Sequence, residues 1–410
     1  MSKGILSGVR VLALEQQIAA PLATMLLGIH GAEIIKLERL TGDPKRLIEP
    51  QISTPKGIVN GDFIKYNHNK KSICMNFKTP EGMKILKELI AKSDVIVENL
   101  KPGSMDEIGL SYAEIQKIKP DIIYVAISGF GRMEEYKGPY TGRIAYDIVA
   151  QAMGGIMNRN RHKGGPPKNT NVAFGDVIPG LYATQAVLLG LLKRNQTGQG
   201  EYFDISMYEC MVKAAEDEIY TYNLSGVLKN DGGPDPGMSP YQTYKCKDGY
   251  VALIIPDNIQ WGRLCNAMNH PEWICERYKT GWERHRHMDE LEQKIEDWMS
   301  DKTPEEVAQI LIAGGVPCGP VQSVKDILEC EHLKSRKFFE TAPHPLMGEI
   351  TMVGLPYKMK NHTPEYTAEP ILGGETEYIL SSVLGYTSEE ISALEEKEVV
   401  KSKVVLFNEP

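Results

Sequence analysis

The stretch with the clearest chemical potential is Gly175-Asp176-Val177-Ile178-Pro179-Gly180. One carboxylate sits among small residues, just before an apolar run from Leu181 to Lys193 that predicts a helix. Two readings fit an aspartate placed there. It can cap the helix, accepting backbone N–H bonds and complementing the helix dipole. It can also be a nucleophile that small neighbours expose to a large substrate. Position alone leaves both open. Other reactive clusters are scarce. The seven cysteines are odd in number and lack C-x-x-C spacing, so free thiols in a reducing compartment are expected. The nine histidines lack metal-ligand spacing; His285 and His287, two apart, face away from each other on a helix. No metal site is expected.

A lone carboxylate needs a scaffold. At 410 residues the chain is long enough for two domains. Its 42 % hydrophobic and 24 % charged content is that of an ordinary soluble globular protein. The formal net charge of −8 argues against a nucleic-acid partner. The segment Met1 to Ser7 has no apolar signal core, and the apolar run Leu181 to Leu192 is too short to span a bilayer. A cytoplasmic location without a membrane partner is therefore expected.

Apolar runs at 9–14, 33–38, 72–77, 94–98 and 122–127 predict buried strands. Helical patterns separate them: one opened by Pro21, one capped by Thr79-Pro80-Glu81 and running to Lys92, and one over 106–118. Strands alternating with helices mean parallel βαβ units and a doubly wound sheet covered on both faces. In such sheets ligands sit at the carboxyl ends of the strands. Those ends carry Gln16-Gln17, Arg39, Lys78, Asn99-Leu100-Lys101 and Gly129-Phe130-Gly131. The first turn lacks G-x-G-x-x-G, which disfavours a dinucleotide-binding dehydrogenase. Beyond Asp176, a strand over 202–206 and a helix over 208–224 are predicted, then a Gly/Pro-rich loop at 230–237. A second βα region follows at 241–328, with a strand at 250–255 and helices at 289–299 and 304–313. Pro-rich irregular stretches follow residue 331, and a last helix covers 388–397.

Motifs along the whole chain resemble one family. They include Gly8-Val9-Arg10-Val11-Leu12, Ala19-Ala20-Pro21, Gly31-Ala32-Glu33-Ile34-Ile35-Lys36-Leu37-Glu38 and Gly42-Asp43-Pro44. Further on stand Asn69-Lys70-Lys71-Ser72-Ile73, Lys78-Thr79-Pro80-Glu81-Gly82, Val97-Glu98-Asn99-Leu100-Lys101-Pro102-Gly103 and Ser128-Gly129-Phe130-Gly131. Ala145-Tyr146-Asp147, Gln151-Ala152, Thr197-Gly198-Gln199-Gly200-Glu201, Asp248-Gly249-Tyr250, Val316-Pro317-Cys318-Gly319-Pro320-Val321 and Leu384-Gly385-Tyr386 complete the series. Each is weak alone. In this order and spacing the chain resembles the class III CoA-transferases, the formyl-CoA/carnitine-CoA transferase group.

The resemblance implies a Rossmann-like α/β large domain, a smaller α/β domain, and an interlocked dimer of two ring-like subunits. The implied boundaries are 1–225 for the large domain, 226–330 for the small one, and 331–410 for a return to the large domain. It implies transfer of CoA from an acyl-CoA to a free carboxylic acid, with Asp176 forming an aspartyl anhydride and then an aspartyl-CoA thioester. A carboxylate with an ordinary pKa of about 3.9 needs no general base. Donors must meet the charge that develops on the thioester oxygen. Gly175 and the Gly232-Gly233 pair are expected to help by letting backbone approach. For CoA, the resemblance implies contacts from Ile18, Ala19, Arg39, Met75, Lys78, Asn99, Leu100, Lys101 and Arg143. It implies substrate positioning by Gln17, Tyr146 and Asp147. CoA and acyl-CoA are substrates, and no permanently bound cofactor is implied. The acyl pocket is expected from 157–170 and 231–240. One departure stands out: Asp106 and Glu107 occupy a place where family members often carry a basic residue.

Two alternatives are open at this point. Acyl-CoA racemases of the same superfamily pair the aspartate with a histidine at the position of Tyr146, because stereoinversion needs two acid/base groups. Tyrosine, with an ordinary pKa near 10, is a poor base at neutral pH, which favours transfer. A non-catalytic CoA-binding protein is the other, disfavoured by Asp176 in its glycine-flanked setting.

Overall fold

A computed structural model describes residues 4–161, 164–226, 228 and 236–406. The chain divides into two compact units: 1–157, 169–215 and 337–410 in the first, and 158–168 with 216–336 in the second. The expected boundaries lay at 225 and 330. The compact units divide at 215 and 336; the predicted helix 208–224 is broken at Ala215 into Met207–Ala214 and Glu216–Ser225.

The first unit is built on a seven-stranded sheet. Its strands are β1 (Arg10–Leu14), β2 (Glu33–Glu38), β3 (Lys71–Met75), β4 (Val95–Glu98), β5 (Ile123–Ser128), β6 (Glu201–Ser206) and β7 (Val400–Lys401), in the order β7-β3-β2-β1-β4-β5-β6. All pairings are parallel except β7 on β3. The sequence placed β1 to β6 within two residues of these bounds.

Alternate residues of each strand face opposite helical layers. Leu12 and Leu14 join Ile85, Leu86, Leu89 and Ile90 of α2 (Pro80–Ala91), with Ile379, Leu380, Ile391 and Leu394 from the C-terminal stretch. Val11 and Ala13 join Ala19, Ala20, Ala23 and Leu27 of α1 (Ala19–Ile29). The same layer holds Ala150 of α3 (Asp147–Met153) and Ala183, Ala186, Val187 and Leu191 of α4 (Phe174–Thr197). The sheet is thus covered on both faces, as a doubly wound fold requires.

Several local expectations are corrected. The helix predicted from 181 begins at Phe174, so Pro179 and Gly180 lie inside it. Pro179 falls in the second turn, where its missing N–H removes only the bond to the Gly175 carbonyl. An 18-residue window of the resulting 24-residue helix has a mean hydropathy of 1.3, long and apolar enough by length and composition to cross a membrane. The length argument from 181–192 therefore falls; one face of α4 packs on the sheet through Ala183, Ala186, Val187 and Leu191, while Leu181, Leu188, Leu189 and Leu192 are exposed. The predicted helix 106–118 is two, Ser104–Glu107 and Tyr112–Ile118, broken at Gly109 in the left-handed region. The stretch after 331, expected to be irregular, contains a hairpin of Phe339–His344 and Gly348–Val353.

The second unit has a three-stranded antiparallel sheet of Tyr241–Lys245, Tyr250–Ile254 and Cys318–Pro320. Helices Asn258–Ala267, Met288–Met299 and Pro304–Ala313 cover it over a core that includes Trp261, Leu264, Leu291, Ile295 and Leu311. All seven cysteines are free. Among the described residues no group of three or more His, Cys, Asp or Glu is placed to hold a metal ion.

Candidate active site

Two cavities lie at the carboxyl ends of the central strands. One, of ≈ 1000 Å³, is lined by Glu15 after β1, Glu38-Arg39 at the end of β2, Phe77-Lys78 after β3, and Leu100-Lys101 after β4. Glu107 and Ile108 close its far side. The other, of ≈ 830 Å³, is lined by Gln17, Ala19, Asn99, Lys101, Ser128-Gly129, Arg143, Tyr146 and Asp176. Both are bordered by Gln16, Leu100 and Lys101, so they form one groove across β1 and β4. Arg39, Lys78 and Lys101 are exposed along the groove, with no carboxylate partner for their side chains among the described residues. Such a groove suits a polyanion.

The groove floor is rigid. Asn99 clamps the first turn: the Gln16 N–H donates to Asn99 Oδ1 at 3.0 Å, and Asn99 Nδ2 donates to the Gln16 carbonyl at 2.8 Å. Gln17 then adopts a positive φ of 65°, a costly conformation for a non-glycine residue. Beneath it lies a buried ionic cluster. Lys70 Nζ reaches Glu15 Oε1 at 2.5 Å, and Lys36 Nζ reaches Asp43 at 2.9 Å and Glu15 at 3.4 Å. Burial works to raise the Glu15 pKa, but Lys70 and Lys36 outweigh it and hold the carboxyl below its ordinary value. None of this was legible. Lys36 in Glu33–Glu38 reads as a solvent-facing lysine, yet its side chain is fully buried.

Asp176 occupies the third position of α4, behind the N-cap Ala173. It is therefore not the capping residue that position suggested. The residue is partly exposed but its carboxyl is largely buried, and its pKa is raised to about 7 by burial first and by the Asp147 carboxylate second, with Lys45 opposing. The ordinary pKa assumed from sequence is thus corrected: near neutrality this group is poised between protonated and ionised forms. A raised pKa also makes the ionised carboxylate more basic, which suits a nucleophile.

Asp147 starts α3 and stands against the start of α4. Its Oδ1 accepts the Gly175 N–H at 2.7 Å. A Cβ on Gly175 would meet the Asp147 carbonyl oxygen at 2.7 Å. Gly175 therefore serves close helix packing: the backbone it lets approach is that of Asp147, whose side chain engages the Gly175 N–H. Tyr146, the N-cap residue of α3, is exposed and lines the Asp176 cavity.

Of the residues singled out from sequence, Gln17, Ala19, Arg39, Lys78, Asn99, Leu100, Lys101, Arg143, Tyr146 and Asp176 line the groove. Asp147 touches the Asp176 segment through Gly175. Ile18 is the N-cap residue of α1 and lines neither cavity. Met75 is fully buried among Leu12, Ile35 and Ile73 in the sheet core and also lines neither, because the strand alternation turns it toward α2. Gly232 and Gly233 lie outside the described residues. Glu107 does line the groove, so the acid at the departing position faces the ligand space. Lys45 and Gln151 were missed as site residues.

Comparison with known proteins gives the family. The profile of CoA-transferase family III matches residues 6–376. The chain is 35 % identical over 393 residues to the mouse (Mus musculus) succinyl-CoA:glutarate CoA-transferase, covering 95 % of this chain and 88 % of that one. It is 33 % identical to the Streptomyces coelicolor formyl-CoA:oxalate CoA-transferase, covering 98 % of this chain and all of that one (100 %). The crystal structure of a CaiB/BaiF family protein from Brucella suis superimposes with a TM-score of 0.84 at 29 % identity, covering 93 % of this chain and 100 % of that one. A family match over residues 6–376, relatives above 30 % identity and a shared fold place the chain in CoA-transferase family III.

Proposed function

We propose that this CoA-transferase works through Asp176 as a covalent carrier, with CoA in the groove of Arg39, Lys78 and Lys101. The observation that carries the reading is that Asp176 opens into the same groove as those cations. The Asp176 carboxylate attacks the thioester carbonyl; the C–S bond breaks, and CoA leaves as thiolate. The thiolate attacks the Asp176 acyl carbon of the anhydride and releases the donor acid. An acceptor carboxylate attacks the aspartyl-CoA thioester and again expels thiolate. That thiolate attacks the acceptor's acyl carbon, giving the new acyl-CoA and restoring the Asp176 carboxylate. No net proton is consumed, so no histidine is needed, in keeping with Tyr146 beside Asp176.

The acceptor on this reading is a short dicarboxylic acid. Support comes from Lys101 and Arg143, two cations beside Asp176 with no ion pair among the described residues. It comes also from the two relatives named for glutarate and oxalate, both dicarboxylates. We further propose a homodimer, since α4 leaves Leu181, Leu188, Leu189 and Leu192 exposed. Light scattering after gel filtration reads that state directly. A screen of succinyl-CoA and formyl-CoA against glutarate, oxalate, acetate and butyrate tests the substrate class. Turnover confined to the dicarboxylates is expected; equal or better turnover of the monocarboxylates would refute it.

A further inference from the structure

Behind Asp176 lies a hydrogen-bond hub that the transfer chemistry does not itself require. Gln151, on the second turn of α3, is fully buried. Its Nε2 donates to both carboxylate oxygens of Asp147 at 2.9 Å and to the Val172 carbonyl at 3.0 Å. Its Oε1 accepts from the Thr170 hydroxyl at 3.0 Å and the Thr170 N–H at 3.3 Å. One side chain therefore ties the segment leading into α4 to the carboxylate that receives the Gly175 N–H.

We propose that Gln151 is a positioning residue for Asp176: through Asp147 it fixes the first turn of α4 and keeps a negative charge beside the nucleophile. Four observations converge on it. Burial without these partners would cost Gln151 several hydrogen bonds, so its orientation is fixed. Among the described residues Gln151 is the donor to Asp147 Oδ2, so removing the amide leaves that oxygen without this partner. Gly175 adjoins Asp176 in sequence, so any release of Asp147 is felt at the nucleophile. The charged and titratable groups around Asp176 are Asp147 from α3, Lys45 from the turn Pro44–Arg46, and Lys101, Arg143 and Tyr146 across the cavity. Of these, Asp147 is the anion held in place by Gln151.

This inference rests on Asp176 being the reactive carboxylate, but its test needs no acyl-CoA. A water-soluble carbodiimide with glycine ethyl ester modifies protonated carboxyls, so the rate at Asp176 against pH, read by peptide mass, reports its titration in the free enzyme. The wild type is expected to lose labelling with a midpoint near 7. In Gln151→Ala and in Asp147→Asn, the midpoint moves to lower pH by about one or more, because the neighbouring anion is loosened or removed. Asp147→Asn keeps an acceptor for the Gly175 N–H, so it covers the case in which Gln151→Ala fails to fold. A wild-type midpoint in the ordinary carboxylate range overturns the inference. So does an unmoved midpoint in a folded Gln151→Ala, or in Asp147→Asn. Failure of covalent CoA transfer shows separately, in hydroxylamine trapping of the wild type.

Discussion

Gly175 is the residue whose enlargement separates placing the nucleophile from holding the fold. A Cβ there would sit 2.7 Å from the Asp147 carbonyl oxygen, 2.9 Å from its Oδ1 and 3.0 Å from its Cα. The closest approach is about 0.7 Å short of ordinary contact, and two of the three atoms are backbone, so α4 must move away from α3. Overpacking of this kind costs about 1–3 kcal/mol. For a unit of this size that lowers Tm by about 2–10 °C. The displacement also strains the 2.7 Å bond from the Gly175 N–H and carries Asp176 with it. Misplacing an attacking group by about an ångström costs about 100-fold in rate. Gly190→Ala is the control. On the same helix, its Cβ would meet Ile123 Cγ2 at the same 2.7 Å, but about 22 Å further along the axis. Steady-state kinetics and thermal melts on both variants give the answer. We expect both to lose stability and Gly175→Ala alone to lose kcat per folded enzyme, with KM for the acyl-CoA within twofold. Wild-type kcat in Gly175→Ala, or an equal loss in Gly190→Ala, refutes the reasoning.

Other outcomes follow from the same geometry. Because the folded Asp176 pKa lies near 7, above its unfolded value, the native state binds the extra proton and loses that stabilisation as pH rises through about 7. Asp176→Asn is therefore expected to raise Tm relative to wild type at pH 8 and to leave it nearly unchanged at pH 4; the reverse order contradicts the shift. Arg39→Ala and Lys78→Ala should each weaken CoA about two- to fivefold by calorimetry, while Glu107→Gln tightens it about twofold or more, since exposed charges are worth about 0.5–1 kcal/mol. No change in any of the three would remove the groove as the CoA site. Asn99→Asp cannot donate to the Gln16 carbonyl and should cost about 1–3 kcal/mol in thermal unfolding.

Much of this was legible because it is local. The strands from Val11, Ile34, Ile73, Val95 and Ile123 announce themselves as apolar runs, and their polar ends mark the groove. The whole-chain resemblance, rather than the local motif, singled out Asp176 as the candidate carboxylate. What escaped is set by contacts distant in sequence. Pro179 and Gly180 read as helix breakers, yet α4 runs through both because its burial on the sheet outweighs them. Strand β7 is two residues pairing with β3 across more than 300 positions. Lys36 is buried only because Glu15 and Asp43 meet it there. Gln151 stood in a recognised motif, but its role depends on Asp147, Thr170 and Val172 converging on one amide.

Covalent catalysis by Asp176 is the central claim, and trapping tests it most directly. The enzyme is incubated with an acyl-CoA it turns over, quenched with hydroxylamine and digested, and the peptide carrying Asp176 is weighed. Conversion of Asp176 to the hydroxamate, dependent on the acyl-CoA and absent from Asp176→Ala, is the predicted result. An unmodified Asp176 during demonstrable turnover, or a hydroxamate on another carboxylate, contradicts it.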